Sequence, residues 1–369
     1  MKIGILTFHH SLNCGAALQA WALQAALRAQ GLDASLVNYG RIGWPSKYYF
    51  RADSLRHIVG SFYNDAVTFF RSFGIETYRR HLYRRFHREQ MGLGPRVSKA
   101  GLVAAGYACL VVGSDQVWHP LINEGDATYF LADVPAGVRR VAYAPSFGID
   151  RFAPDLERKM AGWLAAFDAL SVREPQGAAI VKRLCGREAT VVCDPTLLLP
   201  REAYIRLERN PRFALPVKYI AVYTVCGHPW AEDAALKIGA ERELPVVHLL
   251  GGQLARWYWP GRARRVTAMG PSEWLWFMRH AELVVTNSFH GVVFSLIYHR
   301  PFVVALNGKV TDARMRTLLD GTGLESSAVF RAQDVKLADS VDWSRVDREL
   351  QAKSLRGEEF LQQALKTNN

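Results

Sequence analysis

The amino-acid sequence predicts an α/β protein built from two doubly wound parallel-sheet domains that face a cleft. Three observations predict it. Short apolar runs alternate with helical patterns along most of the chain. Those runs are apolar throughout, as strands covered on both faces are. The chain has 369 residues, too many for one hydrophobic core, so it divides in two.

The elements follow in order. Ile3–Phe8 reads as the first strand: its apolar run is too short for a signal peptide, and no small-residue cleavage site follows. Ala16–Gln30 is rich in Ala, Leu and Gln, and predicts a helix stopped by Gly31. Ala34–Asn38 is the next strand. A basic, aromatic-rich insertion at about 41–100 then interrupts the rhythm. It resumes with strands over Ala108–Val112 and Arg140–Ala144, a helix over Asp155–Phe167, a strand over Ala169–Val172, a helix over Gln176–Cys185 and a strand over Thr190–Cys193. Prolines 195, 200, 211 and 216 mark a boundary, which gives domains 1–199 and 200–369. The second set runs through strand Lys218–Val225, helix Ala231–Ala240, strand Val246–Leu250, helix Ser272–His280 and strand Leu283–Thr286. Helix Gly291–His299, strand Phe302–Leu306 and helix Asp312–Leu319 complete it. A final polar helix, about 346–365, is expected to pack back on the first domain.

Composition narrows the class. The chain is 49% hydrophobic and 22% charged, which fits a globular protein rather than a disordered one. No apolar stretch is long enough to span a bilayer. The five cysteines are scattered and form no CxxC pair, so a cytoplasmic chain with reduced thiols and no zinc site is expected. There is no GxxxxGK[ST], HExxH, GxSxG or GxGxxG, which argues against P-loop kinases, zincins, α/β-hydrolases and typical dinucleotide enzymes.

The net charge of +12 points to an anionic partner. Residues 41–100 hold twelve Lys or Arg against four acids, and twelve less four is +8 of that charge. Within them, Tyr78, Leu82, Tyr83 and Phe86 share a helix face with Arg79, Arg80, Arg84 and Arg85 around it. Such a helix suits an anionic membrane surface, or packs on its own domain with a solvated basic face. A second basic-aromatic stretch, "RWYWPGRARR" at 256–265, suits nucleotides, sugar phosphates or a membrane surface. Nucleic acid ranks low, because no nucleic-acid-binding signature accompanies it.

In doubly wound sheets ligands bind beyond the carboxyl ends of the strands, so the junctions just after strands matter most. After strand one come His9, His10, Ser11, Asn13 and Gly15. Gly15 lets the backbone approach a ligand, and the free amides of the helix start favour an anion; the ordinary alternative is a loop capped by Asn13. In "VVGSDQVWHP", Asp115 and Gln116 can hold hydroxyls, and Trp118 can stack on a sugar ring. The alternative makes Trp118 core and Asp115 a turn cap. In "LSVREPQGA", Arg173 can grip a carboxylate or phosphate with two parallel hydrogen bonds, or pair with Glu174 or Asp194. In "VVTNSFHGVVFSLIYHR", Ser288, His290 and Gly291 stand at a helix start, where an anion is favoured and an imidazole can act as general acid or base. The alternative is a histidine that only caps its helix.

Together these stretches resemble the polysaccharide pyruvyl transferase family. The resemblance rests on "NCGAALQAWALQAALRAQG", "VVGSDQVWHP", "YAPSFG", "SVREPQGA", "CDPTLLL", "VVTNSFHGVVFSLIYHRPFVV" and "DARMRTLLDGTGL", in that order. It implies a fold similar to the two-domain, Rossmann-like type B glycosyltransferase fold. It implies transfer of the enolpyruvyl unit of phosphoenolpyruvate to two sugar hydroxyls, giving a pyruvate ketal. The acceptor it implies is a glycan or lipid-linked glycan precursor of exopolysaccharide or cell-envelope synthesis, at the inner face of the plasma membrane. Phosphoenolpyruvate is then a co-substrate, with no cofactor and no metal. Arg173 matches the family's donor-binding arginine, His290 the histidine of its "HG" motif, and Arg314 an arginine before a Leu-Leu pair. Asn13, Gly15, Ser288 and Gly291 join the donor site, and His9, Asp115, Gln116 and Trp118 the acceptor site. Many members carry Arg two residues before the histidine; here that position is Ser288, so the phosphate grip falls to Arg173, Arg314 or the helix amides. Two alternatives stand beside this reading: a nucleotide-sugar-dependent glycosyltransferase, and a non-catalytic binder of anionic glycan or membrane surface.

Overall fold

The computed structural model describes residues 1–39, 74–212, 216–225, 227–250, 263–308, 312–338 and 340–366. Most of the basic insertion, Cys226 and the 256–262 part of the second basic-aromatic stretch lie outside the described residues.

The first half is laid down by β1 (Lys2–Leu6), α1 (Cys14–Ala29), β2 (Asp33–Leu36), α2 (Ile75–Phe86) and α3 (Lys99–Ala104). It continues through β3 (Cys109–Val112), β4 (Arg139–Ala142), α4 (Pro154–Ala165), β5 (Ala169–Val172), α5 (Pro175–Cys185), β6 (Thr190–Val191) and α6 (Arg201–Ile205). The second half holds β7 (Ile220–Thr224), α7 (Ala231–Glu241), β8 (Val246–Leu250), β9 (Arg264–Val266), α8 (Pro271–His280) and β10 (Leu283–Thr286). Then come α9 (Phe289–Ile297), β11 (Phe302–Ala305), α10 (Ala313–Leu319), β12 (Ala328–Val329) and α11 (Trp343–Leu365).

Among the described residues, twelve strands form two six-stranded sheets, ordered β2-β1-β3-β4-β5-β6 and β12-β11-β10-β7-β8-β9, and each of these pairings is parallel. The expected doubly wound parallel sheets are therefore present. Strands such as β3 (Cys-Leu-Val-Val) and β11 (Phe-Val-Val-Ala) are buried at every position, because helices cover both faces. The edge strands β9 and β12 were not expected. They are two or three residues long and carry too little apolar signal to register.

The two halves share interior. One apolar cluster runs from Ile3 and Leu23 through Trp274 and Val284 to Leu361. α1 packs on α8, and α2 packs on α8 as well. Leu82, Tyr83 and Phe86 of α2 are buried, and so are Arg79 and Arg80. The apolar face of α2 therefore packs on its own protein, the second of the two readings, although Arg79 and Arg80 are buried rather than solvated.

α11 ties the halves together. At its start, Trp343 stacks on His299 with ring centroids 4.8 Å apart, and Asp347 meets the same histidine. Further along, Arg345 Nε donates to the Gly321 carbonyl at 2.9 Å, and Lys353 Nζ to the Asp320 carbonyl at 3.0 Å. Near its end the helix reaches the first half, where Arg139 Nε donates to the Ala364 carbonyl. Gly357 makes that crossing close: a Cβ there would lie 2.5 Å from Tyr143 Oη. Glycine inside a helix costs about 0.5–1 kcal/mol, and here it is what lets α11 seat against Tyr143.

Candidate active site

Arg173 follows β5 directly and is buried. Its Nε donates to Glu174 Oε1 at 2.9 Å and its Nη1 to Asp194 Oδ2 at 3.1 Å, while Asp115 Oδ1 stands 4.0 Å from Nη1. Its Nη2 is buried and has no hydrogen-bond partner among the described residues. The guanidinium lies over the Phe289 ring, 4.5 Å from the centroid. Burial works against the charge, but Glu174, Asp194 and Asp115 outweigh it and hold Arg173 above its ordinary pKa.

Asp194, one residue past the Val192-Cys193 pair that leaves β6, is the hub. Oδ2 accepts from Arg173 and from Ser114 Oγ at 3.1 Å; Oδ1 accepts from Thr196 N at 3.1 Å and Thr196 Oγ1 at 2.7 Å. His290 Nε2 stands 3.7 Å from Oδ2, beyond hydrogen-bond distance, and makes no hydrogen bond among the described residues. Burial alone would raise the Asp194 pKa. The nearby imidazole, Arg173 and Thr196 outweigh it and hold the carboxyl well below the usual range.

Two local devices place these groups. Ser288 caps α9, its Oγ accepting from Gly291 N at 3.3 Å, so the helix starts at Phe289 and His290 sits inside its first turn. Gly15, in the first turn of α1, backs the imidazole: a Cβ there would lie 2.1 Å from His290 Nδ1. Asn13 caps α1, its side chain accepting from Ala16 N. Gly291 leaves no room for a side chain either, since a Cβ would meet Thr286 Oγ1 at 2.3 Å.

Arg314 of α10 is half-buried and makes no hydrogen bond or ion pair among the described residues. Its guanidinium lies 5.9 Å from the Phe289 centroid, so Phe289 is flanked by two arginines. Burial first, and then Arg173, lower its pKa from the ordinary arginine value. Arg173, Asp194, Phe289 and Arg314 line one cavity of about 250 Å³, together with Pro175, Leu197, Thr317, Asp320 and, from α11, Lys353 and Arg356. His290 does not line it; the imidazole stands behind Asp194.

Two expected acceptor residues lie elsewhere. Trp118 is fully buried, its ring parallel to Phe130 at 5.4 Å and its Nε1 donating to the Tyr129 carbonyl at 2.9 Å. It is core, so the expectation of a sugar-stacking face is corrected. His9 is also fully buried, with its ring 3.7 Å from that of His10 and 6.3 Å from that of His87. It faces that histidine cluster and the Thr7 carbonyl rather than a cleft, which corrects its assignment too. Burial pushes His9 down to about 4 and His87 down to about 3. Asp115 stays beside Arg173, held in the left-handed region at φ 64°, and Gln116 packs against Gly148. Lys353 and Arg356 were missed, and Asp194 was read only as a partner of Arg173, a pairing that is present. Asp194 carried a usable signal, its place just past a strand in "CDPTLLL"; the α11 pair carried none. Among the described residues no group of three or more His, Cys, Asp or Glu is placed to hold a metal ion, and no helix is long and apolar enough to cross a membrane.

Solved structures with a similar course of the chain include the UDP-GlcNAc 2-epimerase of Methanocaldococcus jannaschii in complex with UDP-GlcNAc and UDP. It is 10% identical, with a TM-score of 0.47, and the match covers 98% of this chain and 99% of that one. The UDP-GlcNAc 2-epimerase of Neisseria meningitidis bound to UDP-GlcNAc is 8% identical, with a TM-score of 0.47 and coverage of 100% and 95%. The glycotransferase of kitacinnamycin is 14% identical, with a TM-score of 0.43 and coverage of 99% of each chain. No curated relative matches the chain. A family model described as polysaccharide pyruvyl transferase matches residues 13–308, from the Asn13 cap past β11. That span takes in Arg173, Asp194 and His290, and on it the chain belongs to the polysaccharide pyruvyl transferase family, a family of transferases.

Proposed function

We propose that the protein transfers the enolpyruvyl unit of phosphoenolpyruvate to two hydroxyls of a sugar, releasing phosphate and leaving a pyruvate ketal. The sugar belongs to a glycan or a lipid-linked glycan precursor. One observation carries this reading. A buried Arg173 with an unmet Nη2 and an Arg314 with no partner among the described residues flank Phe289 on one cavity. Buried guanidinium donors left unpaired are costly unless a ligand meets them. A carboxylate oxygen can accept from the unmet Nη2 of Arg173 and from Arg314. At about 250 Å³ the cavity falls below the range of about 300–1,000 Å³ that drug-sized ligands fill, and it suits a small anion better than a nucleotide sugar.

The chemistry runs as follows. A general acid protonates the methylene carbon, and the adjacent carbon becomes cationic. One sugar hydroxyl adds there and loses its proton, phosphate leaves with the C–O bonding pair, and the second hydroxyl adds and loses its proton. His290 serves as the acid/base group and Asp194 orients its imidazole. His290 stands behind Asp194, outside the cavity lining, so this role requires the site to close on the donor from the Asp194 side. Such contacts are long in unliganded sites and tighten on binding.

The test is a screen of lipid-linked and nucleotide-linked sugars with phosphoenolpyruvate, reading phosphate release and mass gain on the acceptor. Arg173→Ala is expected to abolish donor binding and His290→Ala to abolish turnover. Protection from proteolysis by a nucleoside diphosphate but not by phosphoenolpyruvate would instead establish the glycosyltransferase alternative. Affinity for anionic glycan that survives both substitutions, without phosphate release, would establish the non-catalytic one.

A further inference from the structure

One wall of the cavity comes from far along the chain. Lys353 and Arg356 lie three residues apart on α11, hence on one face of the helix, and both line the cavity that Arg173 and Arg314 line. Lys353 uses one N–H toward the Asp320 carbonyl; an ammonium has three. Arg356 is exposed and makes no hydrogen bond or ion pair among the described residues.

Charge shows what this wall does. Among the lining residues, Asp194 and Asp320 match Arg173 and Arg314 one for one, and only Lys353 and Arg356 bring the lining to a net +2. Arg173 is further engaged by Glu174 and Asp115. A ligand carrying one carboxylate and one phosphate brings about 2.5 to 3 negative charges near neutral pH. The inner pair alone leaves most of that unanswered. Ser288 cannot help, because it is uncharged and its hydroxyl caps α9.

We propose that Lys353 and Arg356 form the phosphate-binding end of the donor site, so that α11 is a wall of that site. The donor's identity rests on the reading above. Position divides the labour: the unmet Nη2 of buried Arg173 takes the carboxylate at depth, while half-buried Lys353 and exposed Arg356 hold the phosphate at the mouth, where it leaves. The helix is fixed near both ends, by Trp343 on His299 in one half and by Arg139 on the Ala364 carbonyl in the other, so the pair is held over the cavity.

The test measures equilibrium binding of phosphoenolpyruvate, inorganic phosphate and pyruvate to the full chain and to Lys353→Met, Arg356→Met and the double variant. Melting curves and steady-state phosphate release accompany it. Phosphate and phosphoenolpyruvate affinity should fall roughly tenfold or more per cation removed, as loss of a charge-assisted hydrogen bond does. Pyruvate, which lacks the phosphate, should bind all four proteins alike. The acceptor KM should hold, and Lys353→Arg should restore phosphate binding. Arg356→Met removes an exposed group without partners among the described residues, so its fold is safe even where Lys353→Met loosens the helix. Unchanged phosphate affinity in a double variant with a wild-type melting curve would overturn the proposal, as would an equal loss of pyruvate. If the double variant turns over phosphoenolpyruvate with wild-type KM, the phosphate end lies elsewhere while the donor reading stands. If phosphate binds through Lys353 and Arg356 but phosphoenolpyruvate does not bind the wild type, the cation pair stands and the donor reading falls.

Discussion

Gly15 and His290 come from opposite halves of the chain, and the absence of a side chain on the first makes the place of the second: a Cβ on Gly15 would lie 2.1 Å from His290 Nδ1. Gly15→Ala should therefore push the imidazole off Asp194. A displacement of about 1 Å at a reacting group costs about 10²-fold, so turnover should fall by that order while phosphoenolpyruvate binding at Arg173 changes little. Single-turnover phosphate release with parallel donor titration checks it. A variant with wild-type turnover would remove His290 from the mechanism as assigned.

Asp194→Asn should damage both neighbours at once. Removing one partner of a buried ion pair costs about 3–5 kcal/mol, so chemical denaturation should show a loss of that order at pH 7. The pH dependence gives the sign. The folded pKa of Asp194 is lowered, so its contribution is complete above about pH 4, the unfolded value, and is lost as pH falls below it. The gap between wild type and variant should thus narrow on the acid side. A gap that stays constant down to pH 3 would mean Asp194 is not held as an anion.

The His9, His10 and His87 cluster should make the whole protein acid-sensitive earlier. Burial holds His9 down to about 4 and His87 to about 3; burial, and then His9 and His87, hold His10 well below its ordinary value. Below about pH 6.5 the unfolded chain takes up protons that the folded one refuses, so stability falls from there toward pH 3–4. Melting temperature should be flat above about pH 7 and drop below 6.5, and His9→Asn should make that slope shallower. An unchanged slope would show that His9 is not buried neutral.

Trp118 is expected to matter for stability alone. Trp118→Ala should cost about 3–5 kcal/mol. The milder Trp118→Phe loses the hydrogen bond to the Tyr129 carbonyl and should leave the acceptor KM where it was. A tenfold rise in acceptor KM with an unmoved melting temperature would return Trp118 to the acceptor site.

What was legible in the sequence follows a physical line. Arg173, Asp115 and His290 could be found because each follows an apolar run, and parallel strands send the residues after them to one edge. The helix expected from Gly291 starts two residues earlier, at Phe289, because the Ser288 cap sets the boundary. Trp118 misled because an aromatic residue after a strand reads the same whether it faces solvent or core; only the packing of Phe130 and Phe147 decides. Lys353 and Arg356 could not be found at all. Their place depends on how α11 lies across both halves, and no local pattern records that.

The route of α11 carries a consequence for how the protein is made. Chains emerge from the N-terminus and early segments fold first, so Arg173 and Asp194 leave the ribosome well before Lys353 and Arg356. A nascent chain that has not yet released α11 has a cavity lining with no net charge and leaves Tyr143 uncovered. Docking of α11, the last helix to emerge, is therefore the step that gives the lining its net positive charge.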